Sequence, residues 1–315
     1  MTLRRPIVIV GLPRSGTTWT LRALGQAEQA LAVLEPDNED KQPTAIRGKR
    51  QVGRYPVLGP GQDSPQYQRL WEWIFAGAPE GRRSLLARRM LGPGNDRRIH
   101  DGRFDPVTWL AGGIAGRPPP TTGGPRGRVV AKSIHAQLSI EWLADLFEVD
   151  VVLLLRHPAN VLASWFELHL KDARNNTLEN NLEIRTRFLE PWGIAPPGPD
   201  PIEQMSWRIG LLIAVLEDAA TRHPEWSVRI HEQLCVDPIT EFQRLYGELG
   251  LPWGQSSEDF LRTHNAPGSG FTVHRIASEV SDSWRSRLDD SQLRTLRRVL
   301  GRFPISTWTD QDFER

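Results

Sequence analysis

A single cysteine, Cys235, stands in the 315 residues, so the chain can form neither an internal disulfide nor a cysteine-based metal cluster. No apolar run approaches the roughly 18 residues of a membrane-spanning helix. Neither sign of charge is in excess: 39 Lys+Arg against 38 Asp+Glu leave a formal net charge of +1. A dedicated nucleic-acid binder would carry a lopsided basic surplus. Lysine is scarce, with 4 lysines beside 35 arginines, which makes each lysine worth locating. The opening MTLRRPIVIVGLP imitates a secretory leader. Its apolar stretch, Pro6 to Val10, is too short for one, and no small-residue cleavage site follows. A cytoplasmic location is the expectation.

What is present is an alternation of short apolar runs and helix-like stretches, the pattern of a mostly parallel sheet with crossover helices. Strands are expected at Ile7–Val10, Leu31–Leu34, Val129–Ala131, Val151–Leu155 and Ser227–Ile230. Helices are expected from about Thr17 to Gln29, then over 67–75, 83–90, 138–147, 158–170, 203–222, 240–249 and 291–302. Residues 36–65 read as a long surface loop, and 112–128 are turn-rich. With no internal repeat and no composition break, the expectation is one α/β domain over 1–315. It has a central, mostly parallel sheet flanked by helices, with variable insertions near 36–127 and 171–200.

The first strand runs straight into Gly11-Leu12-Pro13-Arg14-Ser15-Gly16-Thr17-Thr18-Trp19. A glycine-containing loop at a helix N-terminus offers unpaired N–H groups and the positive end of the helix dipole to an anion. The glycine and hydroxyl spacing is that of a phosphate-binding P-loop, but Thr17 occupies the lysine position and Arg14 is the only long cation. A P-loop kinase needs that lysine on its phosphates. The second signal is Asp150 to Leu155 followed by Arg156-His157-Pro158. A P-loop enzyme commonly closes such a strand with an aspartate that helps hold magnesium. A guanidinium there repels a metal and attracts a second anion. Ser164 follows eight residues later, two turns into a helix that Pro158 can open.

PRSGTTW at 13–19 with LLLRHPANVLASW at 153–165 resembles the sulfotransferases that use 3′-phosphoadenosine 5′-phosphosulfate (PAPS), particularly bacterial ones. The resemblance implies that Arg14, Ser15, Gly16, Thr17, Thr18 and Trp19 hold the 5′-phosphosulfate. It implies that Arg156 and Ser164 hold the 3′-phosphate, with no metal required and with adenosine 3′,5′-bisphosphate (PAP) as the spent donor. Arg229 to Leu234, then Asp237-Pro238, resembles the family's strand before its penultimate helix, although His231 and Gln233 depart from the usual residues there. Ser283 to Leu288 resembles the late segment that closes over the donor, which makes Arg285 a candidate contact beside Arg275 and Arg287.

Sulfonate transfer to a hydroxyl needs a base for the acceptor proton and cations for the charge growing on the leaving phosphate. Arg14 suits the second task, but a guanidinium does not protonate a leaving group. Lys132, at the end of its strand, resembles a family lysine near the sulfonate. Two residues compete as base. Glu35 ends the second strand, where burial is expected to raise its pKa. His135 resembles a histidine that follows the family lysine, with one extra residue between them. The acceptor implied is a small-molecule, lipid or carbohydrate hydroxyl, chosen by the variable segments. A small-metabolite kinase using ATP and Mg²⁺, or a non-catalytic nucleotide-binding module, are the alternatives. Arg47, Lys49 and Arg50 read as a solvated basic patch, Trp71 and Trp73 as core-packing residues on an amphipathic helix, and Asn175–Thr177 as a sequon without secretory context.

Overall fold

The computed structural model describes residues 5–77, 127–168, 178–264 and 282–314, with short pieces between 86 and 114. The expected helix at 83–90, the sequon and Arg275 lie outside the described residues. One sheet contains β1 (Ile7–Gly11), β2 (Ala30–Leu34), β3 (Arg128–Ser133), β4 (Asp150–Leu155) and β5 (Ser227–Ile230), in the order β2–β3–β1–β4–β5. The pairings β2 with β3, β3 with β1 and β4 with β5 are parallel. This is an α/β fold with a parallel five-stranded sheet flanked by helices. β1 is buried along its whole length, and β3 and β4 are buried after their first residue. Covered on both faces, β1 and β4 need no alternation and read as continuous apolar runs. β2, at one edge, leaves Leu31 and Leu34 exposed.

The chain forms two compact units, one of residues 1–10 and 28–151, the other of 11–27 and 152–315. In the first, the β2–β3 register sets Leu34 beside Lys132, which brings the residue after β2 to the carboxyl end of β3. Its helices include α2 (Pro43–Gly48), α3 (Pro65–Phe75) and α4 (Ile140–Phe147). Trp71 and Trp73 of α3 are core residues, and Tyr67 stacks on Trp142 of α4. The second unit contains α1 (Thr17–Leu24), α5 (Pro158–Glu167), the long α6 (Pro201–Arg222), α7 (His231–Val236), α8 (Pro238–Glu248), α9 (Gln255–His264) and α10 (Asp290–Leu300).

Three boundaries differ from expectation. α1 stops at Leu24 because Gly25 caps it, and Gln29, at φ 61, turns the chain into β2. The loop 36–65 contains α2, which opens on Pro43, a residue whose fixed φ suits a first helical turn. Residues 182–192 are helical, with a π-type stretch at Arg185–Leu189, because the Asn181 side chain caps their start.

Candidate active site

The loop after β1 is closed on itself. The Ser15 amide and hydroxyl both donate to the Leu12 carbonyl, at 3.1 and 2.7 Å, while Arg14 takes a left-handed φ of 75. A non-glycine residue in that region carries strain that its surroundings must offset. Gly16, at φ 89, is the N-cap of α1, and no side chain caps the helix. A Cβ there would sit 2.3 Å from His231 Nδ1, so the turn admits only glycine. The first amides of α1 have no intrahelical partner, and they carry the positive end of the dipole. Thr17 is buried, and the Trp19 ring meets His231 and Phe242 edge-on.

The second motif folds onto this loop. The Arg14 Nε–H donates to Ser164 Oγ at 2.9 Å, Arg156 Nη1 donates to the Arg14 carbonyl at 2.6 Å, and Trp165 Nε1 donates to the Pro13 carbonyl at 2.9 Å. Residues some 140 positions apart thus share one constellation. His157 caps α5 by accepting from the Ala159 amide. Behind Arg156 lies Glu232, 3.7 Å from its Nε, which also accepts from the His157 amide and from Asn160 Nδ2. Burial pushes the Glu232 carboxyl pKa up, against the pull of Arg156. Asn160 in turn accepts from Ser283 Oγ and the Trp284 amide. Arg285 is engaged by Asp282 and by the Glu314 carbonyl, with its guanidinium over the Trp284 ring. His231 is buried, its Nδ1 has no hydrogen-bond partner among the described residues, and burial with Arg156 nearby holds its pKa well below the usual imidazole range.

In the first unit, Glu35 follows β2 in a left-handed conformation, φ 46, with its amide donating to the Lys132 carbonyl. Lys132 Nζ donates to Glu35 Oε1. On the other oxygen, Oε2, Asn38 Nδ2 donates at 2.8 Å and Lys41 Nζ lies at 2.6 Å. The expected upward pKa shift of Glu35 does not occur. Burial alone would raise it, but Lys132 and Lys41 outweigh that and hold the carboxyl at about 2. Burial pulls the Lys132 ammonium down, and Glu35 holds it up. No group of three or more His, Cys, Asp or Glu among the described residues is arranged to hold a metal ion. No helix among them is long and apolar enough to cross a membrane.

A sequence profile of the sulfotransferase family matches residues 6–194, a span that contains both arginine motifs as well as Glu35 and Lys132. This chain belongs to the sulfotransferase family. Among solved structures it is similar to the sulfotransferase domain from the curacin biosynthetic pathway, with 13% identity, TM-score 0.48, and 97% of this chain and 100% of that one covered. It is also similar to the sulfotransferase domain of the Synechococcus PCC 7002 olefin synthase, with 14% identity, TM-score 0.46, and 96% of each chain covered. A third is the Mycobacterium avium sulfotransferase STF9, with 15% identity, TM-score 0.43, and coverage of 97% and 78%. No curated protein matches by sequence.

The other candidate base, His135, lies in a cluster that its sequence neighbourhood did not announce. Lys49, expected in a solvated patch, is fully buried. It donates to the Asp37 and Arg54 carbonyls and lies 2.9 Å from Glu39 Oε1 and 3.2 Å from His135 Nδ1. Glu39 Oε2 is 3.3 Å from the same Nδ1. Burial would raise the Glu39 carboxyl, but Lys49 and His135 hold it at about 2. The turn is pinned by Ser133 Oγ, which accepts from the His135 and Ala136 amides and donates to Asp37 Oδ2 at 2.7 Å. Glu39 was missed altogether. The available signal was the scarcity of lysine: three of the four, Lys41, Lys49 and Lys132, converge on the acidic loop 35–40.

Proposed function

We propose that this protein transfers a sulfonate group from PAPS to the hydroxyl of a small-molecule, lipid or carbohydrate acceptor. The observation that carries the reading is the Arg14–Ser164–Arg156 constellation under the uncapped N-terminus of α1. It supplies two guanidiniums, a hydroxyl and free amides, with threonine where a kinase keeps its lysine and arginine where it keeps its metal-binding aspartate. These residues fit an anionic donor: the glycine turn leaves the backbone bare, and the cations there are permanently charged. PAPS, when bound, supplies the sulfonate and leaves as adenosine 3′,5′-bisphosphate.

The chain's own groups divide the remaining work. Arg14 and the α1 amides bind and neutralise phosphate oxygens, and Arg156 holds the loop while offering charge to the second phosphate. Lys132 supplies positive charge for the sulfonate, oriented by Glu35. The proton acceptor is His135. A carboxylate held at about 2, with both oxygens engaged, is a weak base, whereas His135 Nε2 carries no partner among the described residues.

The test needs no acceptor. Calorimetric titration without metal should give tight binding of adenosine 3′,5′-bisphosphate and weak binding of ATP. ATP binding that strengthens with Mg²⁺, with no preference for the 3′-phosphate, would replace this reading with a kinase.

A further inference from the structure

Glu232 stands behind the second arginine, and what it does to donor binding rests on the transfer reading above. Each described group that touches its carboxyl is a donor or a cation. The His157 amide lies 3.2 and 3.1 Å from the two oxygens, Asn160 Nδ2 at 2.9 Å and Arg156 Nε at 3.7 Å. Asn160 is fixed in that orientation because its own Oδ1 accepts from Ser283 Oγ and the Trp284 amide. Among the described residues nothing at the carboxyl accepts a proton, so Glu232 is a carboxylate although burial raises its pKa. The titratable neighbours on its own helix add no charge. His231 is held neutral by burial and by Arg156, and burial with Glu232 nearby pushes the Cys235 thiol up to about 12. Arg156 has a separate anchor, since its Nη1 donates to the Arg14 carbonyl at 2.6 Å.

We propose that Glu232 limits donor affinity: it stabilises Arg156 while the site is empty and repels the phosphate that the same arginine receives, so that the spent bisphosphate leaves after each transfer. A buried guanidinium needs a compensating charge when no ligand is present, and Glu232 supplies one. Once an anion binds, two like charges share that guanidinium, and the carboxylate works against the complex. At an effective dielectric of about 20, such a repulsion changes an affinity by about tenfold or more. Interactions that hold donor and spent donor equally add nothing to the chemical step, and tight product binding slows turnover.

The experiment compares the full-length wild type with Glu232→Gln, which removes the charge but keeps an acceptor where Oε1 meets His157, Asn160 and Arg156. Calorimetry without metal gives the affinity for adenosine 3′,5′-bisphosphate, and urea unfolding with and without it gives stability. The variant should be less stable than wild type when empty and bind bisphosphate about tenfold more tightly, so saturating bisphosphate narrows the stability gap. A carboxylate with a merely structural role predicts losses in both measurements. Equal or weaker affinity in the variant therefore overturns the inference. If the empty variant is unfolded, millimolar bisphosphate should fold it, and a chain that stays unfolded there overturns the inference as well. A wild type that binds no bisphosphate sinks the donor reading and this inference with it, whereas normal wild-type binding with no gain in the variant sinks this inference alone.

Discussion

Replacing Glu35 by glutamine removes the charge that pairs with buried Lys132, and the structure sets the size and pH dependence of the loss. At pH 7 the variant leaves Lys132, 2% exposed, without its carboxylate partner, which costs about 3–5 kcal/mol for a buried pair. The pH dependence is the sharper test. Glu35 falls from an ordinary 4.5 to about 2 on folding, worth about 3 kcal/mol of stability at neutral pH. Because the folded value is depressed, that contribution is present above pH 4.5 and disappears as the pH falls towards 2. About 2 kcal/mol of it is gone by pH 3. Glutamine does not titrate, so the variant should lose about 2 kcal/mol less than wild type between pH 7 and pH 3. Glu39, also held at about 2, remains and keeps part of the slope. Urea unfolding followed by the fluorescence of the 12 tryptophans measures both. A variant whose stability falls as steeply as wild type between those pH values would refute the claim that Glu35 is ionised by its lysines.

Arg156→Ala deletes the donor to the Arg14 carbonyl and the charge proposed for the second phosphate, and should weaken adenosine 3′,5′-bisphosphate by about 1.5–3 kcal/mol in calorimetry; unchanged affinity would remove Arg156 from the proposed site. Gly16→Ala meets both a left-handed φ of 89 and the His231 ring, so it should lower the melting temperature and the bisphosphate affinity together. Ser164→Ala frees Arg14 Nε from its 2.9 Å acceptor and should cost about 1 kcal/mol in bisphosphate binding with little change in folding.

The two arginine motifs were legible because each is contiguous. Gly11 to Trp19 carries its own strand end, turn and helix start, and Arg156 to Ser164 carries a strand end and a proline-opened helix. The alternation of strands and helices likewise exposed the α/β class, since strands buried on both faces must be apolar throughout. The sequence by itself therefore determined the sheet architecture and the family. Tertiary structure alone decided how the residues of the two motifs meet. It put Arg14 on Ser164 and Arg156 on the Arg14 carbonyl. The register of β2 on β3 set Glu35 against Lys132, 97 residues away, and reversed the pKa direction that burial alone implies. Lys49 lies 86 residues from His135 and reads locally as a solvated basic patch. Only the packing of the 35–54 segment on the β3 turn makes it a buried anchor. Charges act through distance and solvent exposure, and neither is a property of neighbouring letters in the chain.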